Sequence, residues 1–238
     1  MNKIVAIHQP NFFPWLGYFD KIVRSRIFIL LDDVQFEKKG GTWTNRVKIA
    51  INKSAKWLTA PIDRAYHGTR AINEMQFASK AKWRRKLVET IRLNYKKASA
   101  FKECFPVIEE LLSNKTNSIA KYNELSIRTL MRHLELQQTE LRLSSSLPVG
   151  TTGTERLIEL VKAVDGDAYL CGGGAAGYQQ DQLFDDNRIK LVYQNFEHPV
   201  YSQFHSDSFI PGLSIIDALM NHGFSGVREL IVRAANCE

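Results

Sequence analysis

Hydrophobic and polar positions follow one another along this chain in blocks that predict strands and helices in turn. Lys3 to Ile7 and Ile27 to Leu31 are short apolar runs typical of buried strands, and Gly17 to Arg24 between them has helical spacing. Further strand-like runs are Ala168 to Cys171 and Lys190 to Gln194. Because parallel strands need crossover helices, this order predicts an α/β fold with a mostly parallel, Rossmann-like sheet and helices on both faces.

A helical pattern interrupts this alternation between about residues 79 and 138. Apolar residues recur there every three or four positions, which predicts three amphipathic helices beginning near Ser79, Phe105 and Ser118. We interpret these stripes as core packing. We expect residues 1–238 to form one domain that carries this inserted helical region.

Two short extended segments precede the insertion. Arg46 to Ile51 and Lys56 to Pro61 flank Asn52-Lys53-Ser54, a polar break typical of a turn. This pattern predicts a hairpin, which is a candidate antiparallel edge of the sheet.

The composition is that of a globular protein in a reducing compartment. A hydrophobic content of 44% over 238 residues is enough for a normal buried core. Cys104, Cys171 and Cys237 form no C-x-x-C pair, so neither a disulfide framework nor a structural zinc site is indicated. The first apolar run is too short for a secretory signal, and no run approaches the roughly 18 to 20 residues of a membrane helix. We therefore expect a soluble, cytoplasmic protein without membrane insertion.

The net charge of +7 favours anionic partners, including nucleic acid, phosphorylated small molecules, acidic carrier proteins and membrane headgroups. Much of the excess lies in Lys80 to Lys86 and in Arg92, Lys96 and Lys97 on the same predicted helix. Two interpretations stay open for this helix: a solvated face, or a docking patch for an acidic partner.

The loop after the first predicted strand is the most informative segment for function. Pro10 and Pro14 fix φ and hold the residues before them extended, so the loop is rigid. Ligands of open α/β sheets bind outside the carboxyl ends of the strands, where this loop lies. It supplies four candidate substrate-binding residues: Gln9, Asn11, Trp15 and Tyr18.

His8 and two carboxylates are the candidate catalytic residues. An imidazole with an unperturbed pKa near 6.5 suits proton transfer at neutral pH, so His8 is a candidate general base; the alternative is a structural histidine at the end of the strand. Asp32 and Asp33 end the second predicted strand, where a carboxylate can orient His8, bind a substrate amine or hold a metal ion. Adjacent strand residues point to opposite faces, so we expect only one of the two to face the pocket.

Further polar residues extend this candidate site. The guanidinium of Arg46 can bind a phosphate or carboxylate through two hydrogen bonds, unless it faces solvent. The helix predicted from Thr154 follows a Ser-, Thr- and Gly-rich loop, and its start near Thr151 to Thr154 is either an anion site or part of a solvated linker. The remaining candidates for substrate binding are Gln35, Asn45, Tyr178, His198, Tyr201 and Gln203.

The chain shows no established nucleotide or metal motif. The glycine-rich turn at 172–178 permits close backbone approach but lacks the Lys-Ser/Thr of a P-loop. The segment from His198 to His205 does not have the spacing of a helical H-E-x-x-H zinc site, and Pro199 disfavours a helix there. We therefore predict no metal.

Several blocks stand out together: His8–Lys21, Leu31–Phe36, Asn45–Arg46, Thr154–Leu157, Tyr169–Gly172, Tyr193–Gln194, His198–Tyr201 with Gln203, and Leu213–Asp217 with Asn221 and Gly223. Together they resemble the WbqC-like protein family, from residue 4 to about residue 225. Cys171 stands where the family pattern leads us to expect Ser or another small residue, which argues against a nucleophilic role there.

The resemblance implies a place in surface-polysaccharide (O-antigen) or specialised-metabolite biosynthesis. It implies an acyl or aminoacyl transferase, of glycyl type, that modifies the amine of an amino sugar or nucleotide-linked sugar. The donor stays open between ATP-dependent activation and an acyl-carrier thioester, the latter with an acidic acyl carrier protein as partner. The alternative is a nucleic-acid or carrier-protein binding module, or a scaffold, without catalysis; nucleic acid is the less favoured partner.

Overall fold

The structure, a computed structural model, describes residues 3–37, 43–79, 82–172, 180–204 and 206–235. Its central sheet has five strands, all parallel in their pairings. They are β1 (Ile4–His8), β2 (Ile27–Leu30), β5 (Glu140–Leu143), β6 (Ala168–Cys171) and β7 (Lys190–Tyr193). Their order is β5-β2-β1-β6-β7, so β1 is central.

Helices cover both faces of this sheet, as the sequence predicts. They are α1 (Leu16–Val23), α2 (Trp83–Tyr95), α3 (Phe101–Ser113), α4 (Ile119–His133), α5 (Gly153–Ala163), α6 (Asp181–Asp186) and α7 (Ile215–Ala235). Alternate strand residues belong to different buried clusters: Ala6 and Phe28 pack with α1, α7 and the inserted helices, whereas Val5 and Ile29 pack with α5 and α6. The expectation of an α/β fold with a mostly parallel, flanked sheet is confirmed.

The hairpin differs from the expectation. Strands β3 (Arg46–Ile51) and β4 (Ser54–Thr59) pair with each other in a separate two-stranded sheet and do not form an edge of the central sheet. Their apolar face, Val47, Ile49 and Leu58, joins the buried cluster that contains α1 and the inserted helices. The edge next to β2 is instead taken by β5, whose alternating Glu-Leu-Arg-Leu sequence was too short to predict a strand.

The inserted helices pack into the same buried cluster as α1 and α7. Their stripes, such as Leu87, Ile91 and Tyr95 of α2, are buried as the spacing predicts. Helix α7 bends at Gly223, which has a φ of +71° that favours glycine. There the carboxylate of Glu103 approaches closely and accepts a hydrogen bond from the Phe224 N–H at 3.0 Å.

Gly166, in the turn between α5 and β6, offers a test of this packing. A Cβ there would lie well inside van der Waals contact of Val5 and 2.9 Å from Val161 Cγ1. We expect Gly166→Ala to lower the free energy of unfolding by about 1–3 kcal/mol, measured by urea denaturation. Gly150→Ala is the matched control, because a Cβ at Gly150 meets nothing within 4 Å. Equal midpoints for the two variants would contradict the packing described here.

Candidate functional site

A cavity of about 410 Å³ lies beside the carboxyl end of β1. From β1 the chain continues to β2 on one side of the sheet, and β6 pairs with β1 on the other side. This reversal of strand order is the position at which doubly wound sheets bind ligands. Polar lining residues come from several elements: His8, Gln9, Lys21, Thr154 and Arg156.

The imidazole of His8 is held in one orientation. Its Nδ1 lies 3.1 Å from the carbonyl oxygen of Gln9, which also accepts a hydrogen bond from the Tyr18 hydroxyl at 3.0 Å. The edges of the Tyr18 and Trp15 rings pack against it, with centroids at 4.8 and 5.8 Å. If Nδ1 carries the proton toward Gln9, then Nε2 is the hydrogen-bond acceptor.

Burial keeps His8 neutral. Burial, and secondarily the positive charge of Lys21, lower the pKa of His8 to about 3, against the opposing effect of the hydrogen bond to Gln9. The imidazole is therefore uncharged at neutral pH and can accept a proton or a hydrogen bond.

Lys21 is a site residue that sequence reasoning missed. Its side chain is 3% exposed, lines the cavity and donates a hydrogen bond from Nζ to the Ile7 carbonyl at 3.2 Å. Burial lowers the pKa of Lys21 to about 8, opposed by Cys171 and Asp20. The available signal was the pair Asp20-Lys21 within an otherwise apolar helix, since charged residues there are rarely buried without a role.

Arg156 is the second missed residue, and it lies in the first turns of α5. Its Nη1 donates to the carbonyl of Thr151 at 3.1 Å, and its Nη2 pairs with Asp33 Oδ2 at 2.6 Å. Gly153 and Thr154, at the start of the same helix, also line the cavity. A helix amino terminus, a guanidinium and a buried ammonium together favour an anionic group, such as a carboxylate or phosphate.

Asp32 and Asp33 accept hydrogen bonds from the serines that follow β5, and Asp33 also pairs with Arg156. Ser145 donates to Asp32 from its N–H at 3.0 Å and from its hydroxyl at 2.8 Å. The Ser144 hydroxyl lies 3.1 Å from Asp32 Oδ1 and 2.5 Å from Asp33 Oδ1. The two carboxylates thus converge on one serine and do not point to opposite faces, because β2 ends at Leu30 before the aspartates.

The other candidates in the first loop lie near His8. Gln9 lines the cavity, and Trp15 and Tyr18 contact the imidazole directly. Asn11 is 2% exposed and belongs to the same loop, in which Phe13, the residue before Pro14, has a φ of +41° and is not extended as the sequence led us to expect.

The remaining candidates lie elsewhere in the described structure. Asn45 closes the base of the hairpin by donating to Ala60 O at 2.8 Å, and the Arg46 guanidinium stacks on Trp57. Gln35 pairs with Ala71 in an isolated β-bridge. The structure does not bring these residues into the cavity beside His8.

The candidates His198, Tyr201 and Gln203 are also separate from that cavity. Tyr201 donates to the buried carboxylate of Asp217 at 2.9 Å, and Gln203 exchanges two hydrogen bonds with Ile210. His198 lines another cavity, of about 640 Å³, which is bounded by residues of α1 and α7. Burial lowers the pKa of His198. Tyr178 lies outside the described residues.

No group of three or more His, Cys, Asp or Glu side chains placed to hold a metal ion occurs among the described residues. None of the helices described here is both long and apolar enough to cross a membrane.

The fold and the cavity define a doubly wound α/β protein with a crevice at its switch point. The chain belongs to the WbqC-like protein family, whose model matches residues 9–229, and this confirms the resemblance seen in the sequence. It is 28% identical over 228 residues to the uncharacterized protein Rv1507c of Mycobacterium tuberculosis, covering 93% of this chain and 94% of that protein. No solved structure matches the chain at a significant level.

The lowered pKa of His8 predicts a pH dependence of stability. Between about pH 3 and 6.5 the unfolded chain binds a proton at His8 that the folded protein excludes, so stability falls as the pH drops below 6.5. Because of this residue, we expect the free energy of unfolding to fall by up to about 1.4 kcal/mol for each pH unit below 6.5. Urea denaturation of wild type and His8→Asn at pH 7.5 and 5 measures the contribution.

The matched control for that experiment is His67→Asn, at an exposed position in a loop. As the pH is lowered from 7.5 to 5, its free energy of unfolding should fall as much as that of the wild type. The free energy of unfolding of His8→Asn should fall less. An identical pH dependence in all three proteins would show that His8 is not held neutral by burial.

Proposed function

We propose that this protein is an acyl or aminoacyl transferase, of glycyl type, that acts on an amino sugar or nucleotide-linked sugar. The observation that carries the proposal is the convergence of neutral His8 with Lys21, Arg156 and the start of α5 in one cavity. The cavity, about 410 Å³, is within the size range of small-molecule sites. Membership of the WbqC-like family supports a place in surface-polysaccharide (O-antigen) or specialised-metabolite biosynthesis.

In the proposed reaction the sugar amine attacks the carbonyl carbon of an activated acyl group. The new C–N bond forms as the bond to the leaving group breaks, and His8 Nε2 accepts the proton that the amine loses. Without a bound ligand the imidazole is a weak base, because burial lowers its pKa to about 3. An anionic ligand next to it favours the protonated form, so the bound substrate raises the pKa of His8.

The cations Lys21 and Arg156 and the start of α5, which line the cavity, have two roles in this scheme. Lys21 Nζ and the N–H groups at the start of α5 stabilise negative charge that develops on the carbonyl oxygen. Arg156 binds a carboxylate or phosphate of the ligand. Asp33 positions Arg156 through the 2.6 Å ion pair, and Asp32 fixes the Ser144–Ser146 turn beside it.

The acyl donor is proposed to arrive on an acidic acyl carrier protein, with ATP-dependent activation as the other donor chemistry. A surface between the hairpin turn and the end of α2 fits such a partner. It presents the exposed apolar side chains of Leu93 and Phe204 beside Lys96 and Lys97, whereas Lys53 there is paired with Asp207. Complementary charge and apolar contact are the features that carrier docking requires.

The same surface favours a second candidate function, a carrier-protein binding module without catalysis. Nucleic-acid binding by α2 has less support, because two of its arginines already make hydrogen bonds or ion pairs with other residues of the protein. Arg84 donates to the Thr116 carbonyl at 2.7 Å and lies over the Trp83 ring, and Arg92 pairs with Glu89 and Glu109.

A direct test incubates the protein with a nucleotide-linked amino sugar and either glycine, ATP and Mg²⁺ or an acyl-carrier thioester. Mass spectrometry then detects the acylated sugar. We expect His8→Ala to lower kcat by about 100-fold or more, because it removes the proton acceptor. The thermal midpoint should stay near that of the wild type, and His67→Ala should keep full activity. A loss of activity only in proportion to lost stability would contradict a catalytic role for His8.

Lys21→Met separates binding from folding. The substitution removes a buried charge while keeping an unbranched side chain of similar length, so the free energy of unfolding should not fall. Binding of an anionic sugar nucleotide should weaken by about tenfold or more, because a charge-assisted hydrogen bond is lost. Urea denaturation and isothermal titration calorimetry measure the two effects. Unchanged affinity would contradict an anion site at Lys21.

A further inference from the structure

Lys21 is buried, yet its amine keeps hydrogen-bonding capacity beside the cavity. The residue is 3% exposed and lies in the wall of the cavity that contains His8. An ammonium group has three N–H donors. Among the described residues only one hydrogen-bond acceptor meets Lys21 Nζ, the Ile7 carbonyl at 3.2 Å. Buried polar groups normally have their partners, so the remaining capacity of this amine indicates a ligand in the cavity.

The surroundings of Lys21 favour the neutral amine. Burial is the largest effect on the pKa of Lys21 and lowers it to about 8, although Cys171 and Asp20 oppose the shift. At neutral pH about a tenth of the Lys21 side chains are therefore uncharged, against fewer than about one in a thousand for an ordinary lysine. Only the uncharged amine is a nucleophile, and desolvated lysines are the ones that form imines with carbonyl compounds.

His8 can supply the proton transfers that imine formation needs. Both side chains line the same cavity, and after burial the charge of Lys21 is the second effect that lowers the pKa of His8, so the two groups lie near each other. With Nδ1 directed at the Gln9 carbonyl, the neutral imidazole has Nε2 as its acceptor. A neutral base beside an amine can take a proton from it and return that proton to a departing hydroxyl group.

The start of α5 indicates that the carbonyl compound carries an anionic group. Gly153 and Thr154 line the cavity, and Thr152, which precedes the helix, makes no capping side-chain hydrogen bond within the part of the chain that the structure describes. The first N–H groups of a helix and its dipole favour a carboxylate or phosphate. Apolar lining residues such as Leu31 and Leu157 suit the carbon skeleton of the ligand.

We propose that Lys21 is a carbonyl-reactive site, at which Nζ forms an imine with an aldehyde or ketone that also carries a carboxylate or phosphate. Nζ attacks the carbonyl carbon, the C=O π electrons move to oxygen, and one proton passes from nitrogen to oxygen through His8. The C–O bond then breaks as the nitrogen lone pair forms the C=N bond, and the oxygen leaves as water with the second proton from nitrogen. One amine and one carbonyl give one imine and one water, without oxidant or reductant.

This activity goes beyond the proposed acyl transfer, because it needs no activated donor. The experiment incubates the full-length protein at neutral pH with an aldehyde and sodium cyanoborohydride, which reduces an imine to a stable secondary amine. The anionic probes are para-carboxybenzaldehyde and glyceraldehyde phosphate, and the neutral para-formylbenzamide is the matched comparison. Peptide mass spectrometry measures the rate of labelling at each lysine of the wild type.

We expect the anionic probes to label Lys21 at least about tenfold faster than Lys102, an exposed lysine of α3, in the same sample. The carboxylate probe should label Lys21 about 3- to 10-fold faster than the neutral amide does. His8→Ala should slow the labelling of Lys21 by about tenfold or more, because the proton acceptor is lost, whereas His67→Ala should not. In intact-mass measurements Lys21→Met should lose the fast phase of labelling, and Lys102→Met should keep it.

The outcomes separate this inference from the proposed function. Labelling of Lys21 that is no faster than that of Lys102 overturns the carbonyl-reactive site, as does a fast phase that persists in Lys21→Met. Equal labelling of Lys21 by the carboxylate and the amide probes overturns the choice of an anionic ligand. Fast labelling of Lys21 without any acyl transfer supports this inference and contradicts the transferase. Acyl transfer without fast labelling overturns this inference alone.

Discussion

The candidate site exists because β1 is hydrogen-bonded on both sides within a parallel sheet. The crossover after β1 passes through α1 on one face, and the chain reaches β6 through α5 on the other face. The connections therefore diverge at the carboxyl end of β1, and neither covers it. This divergence leaves the cavity open and places the last residue of the strand, His8, on its wall.

Burying ionisable groups beside this cavity costs free energy, and the surrounding contacts reduce that cost. Burial lowers the pKa of both His8 and Lys21, so each charged form is less stable than in water. Hydrogen bonds to the carbonyls of Gln9 and Ile7 offset part of that cost. A bound anion would offset more of it, as the proposed function requires.

Features that are determined over short distances along the chain could be predicted from the sequence, and features determined over long distances could not. Periodicity and turn residues act locally, so they predicted the strands near His8, the three inserted helices and the hairpin. Residues separated by more than a hundred positions determine the site: Asp33 meets Arg156, and Asp32 meets Ser145. Neither pairing leaves a periodic signal, and Lys21 looked like an ordinary charged residue of a short helix.

By itself, the sequence determined the α/β class and the family, because apolar spacing and local motifs are properties of the chain. Only the tertiary structure decided that α5 places Arg156 in the same cavity as His8, and that the hairpin is separate from the central sheet. It also decided that Asn45, Tyr201 and Gln203 make structural hydrogen bonds away from that cavity. The physical reason is that side-chain burial and hydrogen-bond partners depend on which distant segments pack together, and no local pattern specifies that.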